Sequence, residues 1–133
     1  MRVLDANFLI DYLSGRDATK TYYEQHGGAD EQWIMPAPAR AEALVGVGNL
    51  PDGDVERAVE ALSWGHVYET TEALSAEAAR IADAIGPQGP YLDGVDAVVA
   101  AVGRETGATV VSADSDLTHE ATRDVIDVES YRD

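Results

Sequence analysis

No cysteine occurs in this chain, and lysine is nearly as scarce, with Lys20 the only one. Without thiols there is no disulfide, no zinc–thiolate centre and no cysteine nucleophile. No apolar run approaches the ~18 residues that cross a bilayer, so no membrane role is expected. The opening, with its strand-like Arg2-Val-Leu4, lacks the basic and apolar regions of a signal peptide. A cytoplasmic location is the expectation that follows. The loops Gly-x-x-x-x-Gly-Lys, Gly-x-Gly-x-x-Gly and Gly-x-Ser-x-Gly are all missing, which leaves nucleotide-cofactor and serine-hydrolase readings without support. His26, His66 and His119 show no metal-ligand spacing.

What is abundant is acid. The chain carries 25 Asp and Glu against nine Lys and Arg, a formal charge of −16. Such a surface repels itself in dilute buffer, and salt relieves the repulsion as the Debye length shrinks to ~3 Å at 1 M. A salt-rich, halophilic cytoplasm is the expectation, with an ordinary acidic protein as the alternative. At 133 residues and 45% apolar composition, the chain fits one domain over 1–133 with one core.

Strand-like and helix-like segments alternate. Strands are expected over Arg2–Asp5, Gln32–Met35, His66–Glu69, Thr109–Ser112 and Val125–Val128. Between them, Phe8, Leu9, Tyr12 and Leu13 share helical spacing, and Ala18–His26 reads as a second helix ended by Gly27-Gly28. Pro36 and Pro38 introduce a helix carrying Ala41, Leu44, Val45 and Val47. Helices follow over Asp54–Trp64, over Thr71–Ile85 with its Gly86–Pro90 stop, and over Asp93–Thr106. This alternation implies right-handed βαβ units and a mainly parallel sheet of about five strands covered on both faces, an α/β architecture.

Five carboxylates stand beside apolar runs that belong to the core: Asp5, Glu42, Asp96, Asp114 and Asp116. Buried like charges each cost several kcal/mol unless compensated. A hard divalent cation, Mg²⁺ or Mn²⁺, is the natural compensator, because it prefers oxygen ligands. Ligands of open α/β sheets bind beyond the carboxyl ends of the strands. Asp5 ends the first strand, Asp114 and Asp116 follow the fourth, and Asp96 lies in the first turn of its helix, so all face that edge. Glu42 lies in the helix after the second strand. Each acid also has a plainer role: Asp5 as a helix cap, Asp96 as a dipole partner, Glu42 as a solvated helix residue, Asp114 or Asp116 as turn formers. Asp93 fits an N-cap better than a ligand.

Four stretches carry a family resemblance: Asp5-Ala-Asn7, Ala41-Glu-Ala-Leu-Val-Gly46, Asp96-Ala-Val-Val-Ala-Ala101 and Ser112-Ala-Asp-Ser-Asp-Leu117. Together, and in this order, they resemble the PIN domain, specifically the short VapC-like toxin ribonucleases of type II toxin–antitoxin systems. Ser112 stands where the family more often has Thr, and Leu117 where it more often has Phe. The resemblance implies a three-layer α/β/α sandwich and an Mg²⁺- or Mn²⁺-dependent endoribonuclease acting on RNA such as tRNA or rRNA. It implies a cluster of Asp5, Glu42, Asp96 and Asp114, with Asp116 as a further ligand and Asn7 and Ser112 as auxiliary hydrogen-bonding groups. A small antitoxin partner and a homodimer are implied in the same way. For the phosphates of RNA, Arg16, Arg40, Arg80 and Arg104 are the candidate contacts, Arg104 standing about 12 Å along its helix from Asp96.

Other readings remain open. A haloacid-dehalogenase-like phosphatase needs a second Asp two residues after the first, where this chain has Asn7, and a supporting lysine. A receiver domain needs a lysine after a late strand, and Lys20 is too early. A catalytically silent PIN-like module that binds metal or protein is the other alternative, and metal-dependent cleavage separates it from the enzyme.

Overall fold

The computed structural model of the chain describes residues 1–87 and 89–132. Five strands, β1 (Arg2–Leu4), β2 (Trp33–Pro36), β3 (His66–Tyr68), β4 (Thr109–Ser112) and β5 (Val128–Ser130), form one sheet in the order β3-β2-β1-β4-β5. Every pairing is parallel. Parallel neighbours need crossovers, and the helices supply them: α1 (Ala6–Leu13), α2 (Asp17–Gln25), α3 (Ala37–Gly48), α4 (Val55–Ala61), α5 (Glu72–Ile85), α6 (Gly94–Thr106) and α7 (Glu120–Arg123). The result is a three-layer α/β/α sandwich with an all-parallel sheet. No helix among the described residues is long and apolar enough to cross a membrane.

The central strands explain the apolar runs in the sequence. Val3 and Leu4 of β1 and Val110 and Val111 of β4 are fully buried, as strands covered on both faces must be. α6 lies close against this centre. Val99, Ala100, Ala101 and Val102 are buried, and a Cβ at Gly103 would sit 2.5 Å from Val110 Cγ2, so only glycine lets the helix approach β4 there. Gly107, at φ +69°, then ends α6 two residues before β4 begins.

Two expected elements differ in extent. The helix expected over Asp54–Trp64 stops at Ala61, where the Leu62 N–H is shared between the Ala58 and Val59 carbonyls at 3.2 and 3.3 Å. The last strand is displaced from Val125–Val128 to Val128–Ser130. Val125 and Ile126 both donate to the Thr122 carbonyl at 3.0 Å, closing the short, unanticipated α7, and sheet pairing resumes only with Val110 N–H to Asp127 O at 2.9 Å. Gln88, within the expected Gly86–Pro90 stop, and Asp133 lie outside the described residues.

Chain direction across the sheet fixes where a site belongs. From β1 the chain moves outward to β2 and β3, then returns past β1 to β4 and β5. That reversal opens a crevice between the carboxyl ends of β1 and β4.

Candidate active site

Asp5 is the first residue beyond β1, and its own N–H still reaches Val111 O of β4 at 3.3 Å. The strand geometry therefore carries it, buried to 1% exposure, to the mouth of the crevice. Oδ1 accepts from Phe8 N–H at 2.8 Å and caps α1, and Oδ2 accepts the Ser112 hydroxyl. Register explains that second bond. Leu4 pairs with Val111, so the next residues, Asp5 and Ser112, emerge side by side. Burial pushes the Asp5 carboxyl up to about 6, against the bonds from Ser112 and Phe8, and the charges of Asp114 and Asp11 push the same way.

Ser112 also organises the loop after β4. Its Oγ accepts from Asp114 N–H at 2.9 Å. Asp114 Oδ2 in turn accepts from the N–H groups of Asp116 and Leu117, both at 3.0 Å, an arrangement that closes the turn. Leu117, fully buried, anchors the loop to the core.

Asp96 reports the convergence of the acids. Asp93 caps α6 by accepting from Asp96 N–H at 2.8 Å. The Asp96 carboxyl is pushed up to about 7, first by burial and then by the charges of Asp114, Asp93, Asp5 and Glu42. Carboxylates from β1, α3, α6 and the β4 loop thus act on one another at one edge. Glu42 itself is exposed on α3, Asn7 is exposed in the first turn of α1, and Asp116 is half-buried.

All the donors at this rim are oxygens, the kind a hard cation takes. As the side chains stand, no three acidic or histidine residues among those described are gathered closely enough to hold a metal ion. The acids are within electrostatic range of one another but outside ligand range.

The four arginines expected near phosphate part company. Arg16 pairs with Asp11 at 3.8 Å, close to the site. Arg40 is half-buried in the first turns of α3, its Nε buried without a partner among the described residues. Arg80 and Arg104 both pair with Glu77, at 3.4 and 3.8 Å, on the exposed surface of α5 and α6. Arg104 stands in the last turn of α6, at the opposite end from Asp96.

Three polar residues absent from the sequence reading adjoin the site. Asp11 of α1 accepts the Tyr131 hydroxyl at 2.5 Å and bonds the Arg132 guanidinium. Burial alone would raise the Asp11 carboxyl, but the bonds from Tyr131 and Arg132 outweigh it and hold the group below the ordinary carboxylate value. The Tyr131 ring packs edge-on against Phe8, centroids 4.8 Å apart. The rule that located Asp114, that ligands meet the carboxyl ends of strands, also selects Tyr131 and Arg132, which directly follow β5.

Residues 2–122 match the PIN domain family, so the chain belongs to it, and the all-parallel α/β sheet agrees. Among solved structures, a toxin–antitoxin complex from Klebsiella pneumoniae is similar with a TM-score of 0.80 at 18% identity, over 100% of this chain and 99% of that one. FitAcB from Neisseria gonorrhoeae follows at TM-score 0.78 and 18% identity, covering 98% of each chain. The sarcin–ricin-loop-cleaving toxin VapC20 of Mycobacterium tuberculosis gives 0.66 at 17%, over 89% of this chain and 93% of that one. At these identities the likeness is one of fold. No curated protein matches the chain by sequence.

Proposed function

We propose that this chain is a divalent-metal-dependent endoribonuclease, the toxin of a toxin–antitoxin pair, formed by a single domain over 1–133. The observation that carries the reading is the geometry of the crevice, where the buried Asp5 is held by Phe8 N–H and the Ser112 hydroxyl, and Ser112 Oγ in turn holds the loop that carries Asp114. Neighbours of the same fold support it, since one is a toxin that cleaves the sarcin–ricin loop and another a toxin–antitoxin complex. A small antitoxin, a homodimer and a salt-rich cytoplasm belong to the same proposal.

Asp5, Glu42, Asp96 and Asp114 would hold Mg²⁺ or Mn²⁺, with Asp116 beside them. When bound, such a cation neutralises charge at the scissile phosphate and lowers the pKa of the attacking water. The chain's own contribution is positional. Phe8 N–H and the Ser112 hydroxyl fix both oxygens of Asp5, so its carboxylate cannot swing away from the crevice. The Asp116 and Leu117 N–H groups hold Asp114 Oδ2, and Asp93 fixes the start of α6 beneath Asp96. Asn7, exposed at the same mouth, offers a neutral hydrogen bond to a water or a phosphate oxygen. Hydrolysis in line would leave a 5′-phosphate and a 3′-hydroxyl.

Purified protein free of antitoxin, incubated with tRNA and rRNA in molar KCl, is expected to yield discrete fragments with Mg²⁺ or Mn²⁺ and none with EDTA. Cleavage that persists in EDTA sinks the metal assignment, and no cleavage with either metal leaves a PIN-like binding module in its place. The charge of −16 predicts a second result. The melting temperature should rise by roughly 5 °C or more from dilute buffer to molar KCl, as screening removes self-repulsion. A melt that does not move with salt removes the halophilic reading.

A further inference from the structure

One open groove, of about 670 Å³, runs along α2 and β5 outside the acidic crevice, lined by Arg16, Thr21, Tyr22, His26, Tyr131 and Arg132 among others. Its volume falls within the ~300–1,000 Å³ of ordinary ligand sites. The geometry points to this groove as the seat of the RNA backbone on one flank of the scissile bond, with Arg16 and Arg132 as its phosphate contacts. This inference rests on the ribonuclease reading and extends it from the acids to the strand they cut.

Charge is the first argument. The chain has nine basic residues in all, yet Arg16 and Arg132 line this groove and Arg2 stands behind it, donating to Tyr22 Oη at 2.7 Å and to Glu129 at 3.2 Å. The carboxylates that face these arginines, Asp11, Glu129 and Glu31, are already engaged, Glu31 by Arg2 at 3.5 Å and by the N-terminal amine at 2.8 Å. Asp11 is taken by Tyr131, Arg132 and Arg16, and Glu129 by Arg2 and by His26 Nε2 at 3.1 Å. Three arginines against three spoken-for acids bring this face near charge balance on a chain that is elsewhere strongly negative. A polyanion approaching the crevice meets repulsion on most of the surface and far less here, where the Arg16 and Arg132 side chains are exposed.

Continuity with the site is the second argument. Tyr131 heads the groove and packs on Phe8, and the Phe8 N–H holds Asp5. One helix, α1, therefore carries the cap of the reacting end at Asp5 and the anchor of the basic end at Asp11, about 9 Å apart along its axis at 1.5 Å per residue.

Donor geometry is the third. Asp11 orients the Arg132 guanidinium, whose side chain is 36% exposed, and Arg16 is 50% exposed. A planar fork with five donors keeps N–H groups for a phosphate while one nitrogen is held by Asp11. Asp11 acts here as a positioning residue for Arg132.

The test measures Arg16→Gln, Arg132→Gln and the double variant in the full chain. Arg57→Gln, on α4, serves as the control. Cleavage of a tRNA substrate should show KM raised about 10- to 100-fold in the double variant, with kcat within about threefold of the parent. Binding of the same RNA to Asp5→Asn protein, followed by anisotropy across KCl concentration, should lose about one to two units of salt slope on adding the double change. Arg132→Lys, which keeps the charge but not the fork, should fall between. If Arg132→Gln does not fold, Arg16→Gln and Arg132→Lys carry the same comparison. Unchanged KM and salt slope in folded variants, with the parent active, overturn the groove and leave the ribonuclease standing. Salt slopes that respond as expected, in a parent that cuts nothing, overturn the ribonuclease and with it the groove's place beside a scissile bond, and leave Arg16 and Arg132 as RNA contacts only. Loss of affinity for polyglutamate rather than for RNA would assign the groove to an acidic peptide and overturn the inference.

Discussion

Asp5→Asn is expected to lower the cleavage rate by about a thousandfold or more while leaving the fold intact. Asn keeps the Oδ1 acceptor for Phe8 N–H, so the cap on α1 survives, and its amide can donate to Ser112 Oγ. What is lost is the charge, which is fully buried at the mouth of the crevice. A neutral residue there also removes a desolvation cost, so the variant should melt no lower than the parent at neutral pH. Single-turnover rates and a thermal melt on the same preparation check both halves. Activity within tenfold of the parent would remove Asp5 from the site, and a collapsed melt would show that its charge serves the fold instead.

The second large effect concerns pH and Asp96. Asp5 and Asp96 hold their protons until about 6 and about 7 in the folded chain, against 3.8 ordinarily. The folded state thus binds more protons than the unfolded state between those limits, and stability falls as pH rises through the interval. Their contribution is complete below the unfolded value and gone above about 7. Asp11 and Glu31 work in the other sense, because their ion pairs and hydrogen bonds hold them low, and they lose their contribution at still more acid pH. Without metal, the melting temperature should therefore peak in mildly acid buffer and decline toward neutrality. Mg²⁺ or Mn²⁺ should reverse that decline. Asp96→Asn should flatten the decline, raise the metal-free melt at neutral pH by roughly 4 °C, and abolish most of the metal-induced gain. A variant whose pH profile and metal response match the parent's would mean that the acids do not act on one another as described.

Much of this was readable in the residues because local chemistry and topology point the same way. Asp5 follows the buried Val3-Leu4 of β1 and Ser112 closes β4 after Val110-Val111, Asp93 stands where a helix must be capped, and Gly107 where one must end. The strand at Val125–Val128 was displaced because Val125 and Ile126 are apolar for another reason, the closing of α7 on Thr122, and periodicity does not separate a buried turn from a buried strand. The contact of Asp11 with Tyr131 and Arg132 spans 120 and 121 positions and depends on β5 pairing with β4. No local pattern carries that information. Nor does the sequence distinguish Arg104, tied to Glu77 at the far end of α6, from Arg16, which stands by the groove.

The bond from Ser112 to Asp5 joins residues 107 positions apart, and it forms only when β4 docks beside β1. A polypeptide still being synthesised carries Asp5, Glu42 and Asp96 long before it carries the strand that fastens Asp5 and supplies Asp114. Contacts of such long range form late. Premature termination anywhere before β4 thus releases a fragment with neither a closed sheet nor an assembled crevice, so the crevice forms only in chains that extend through β4 and the loop after it.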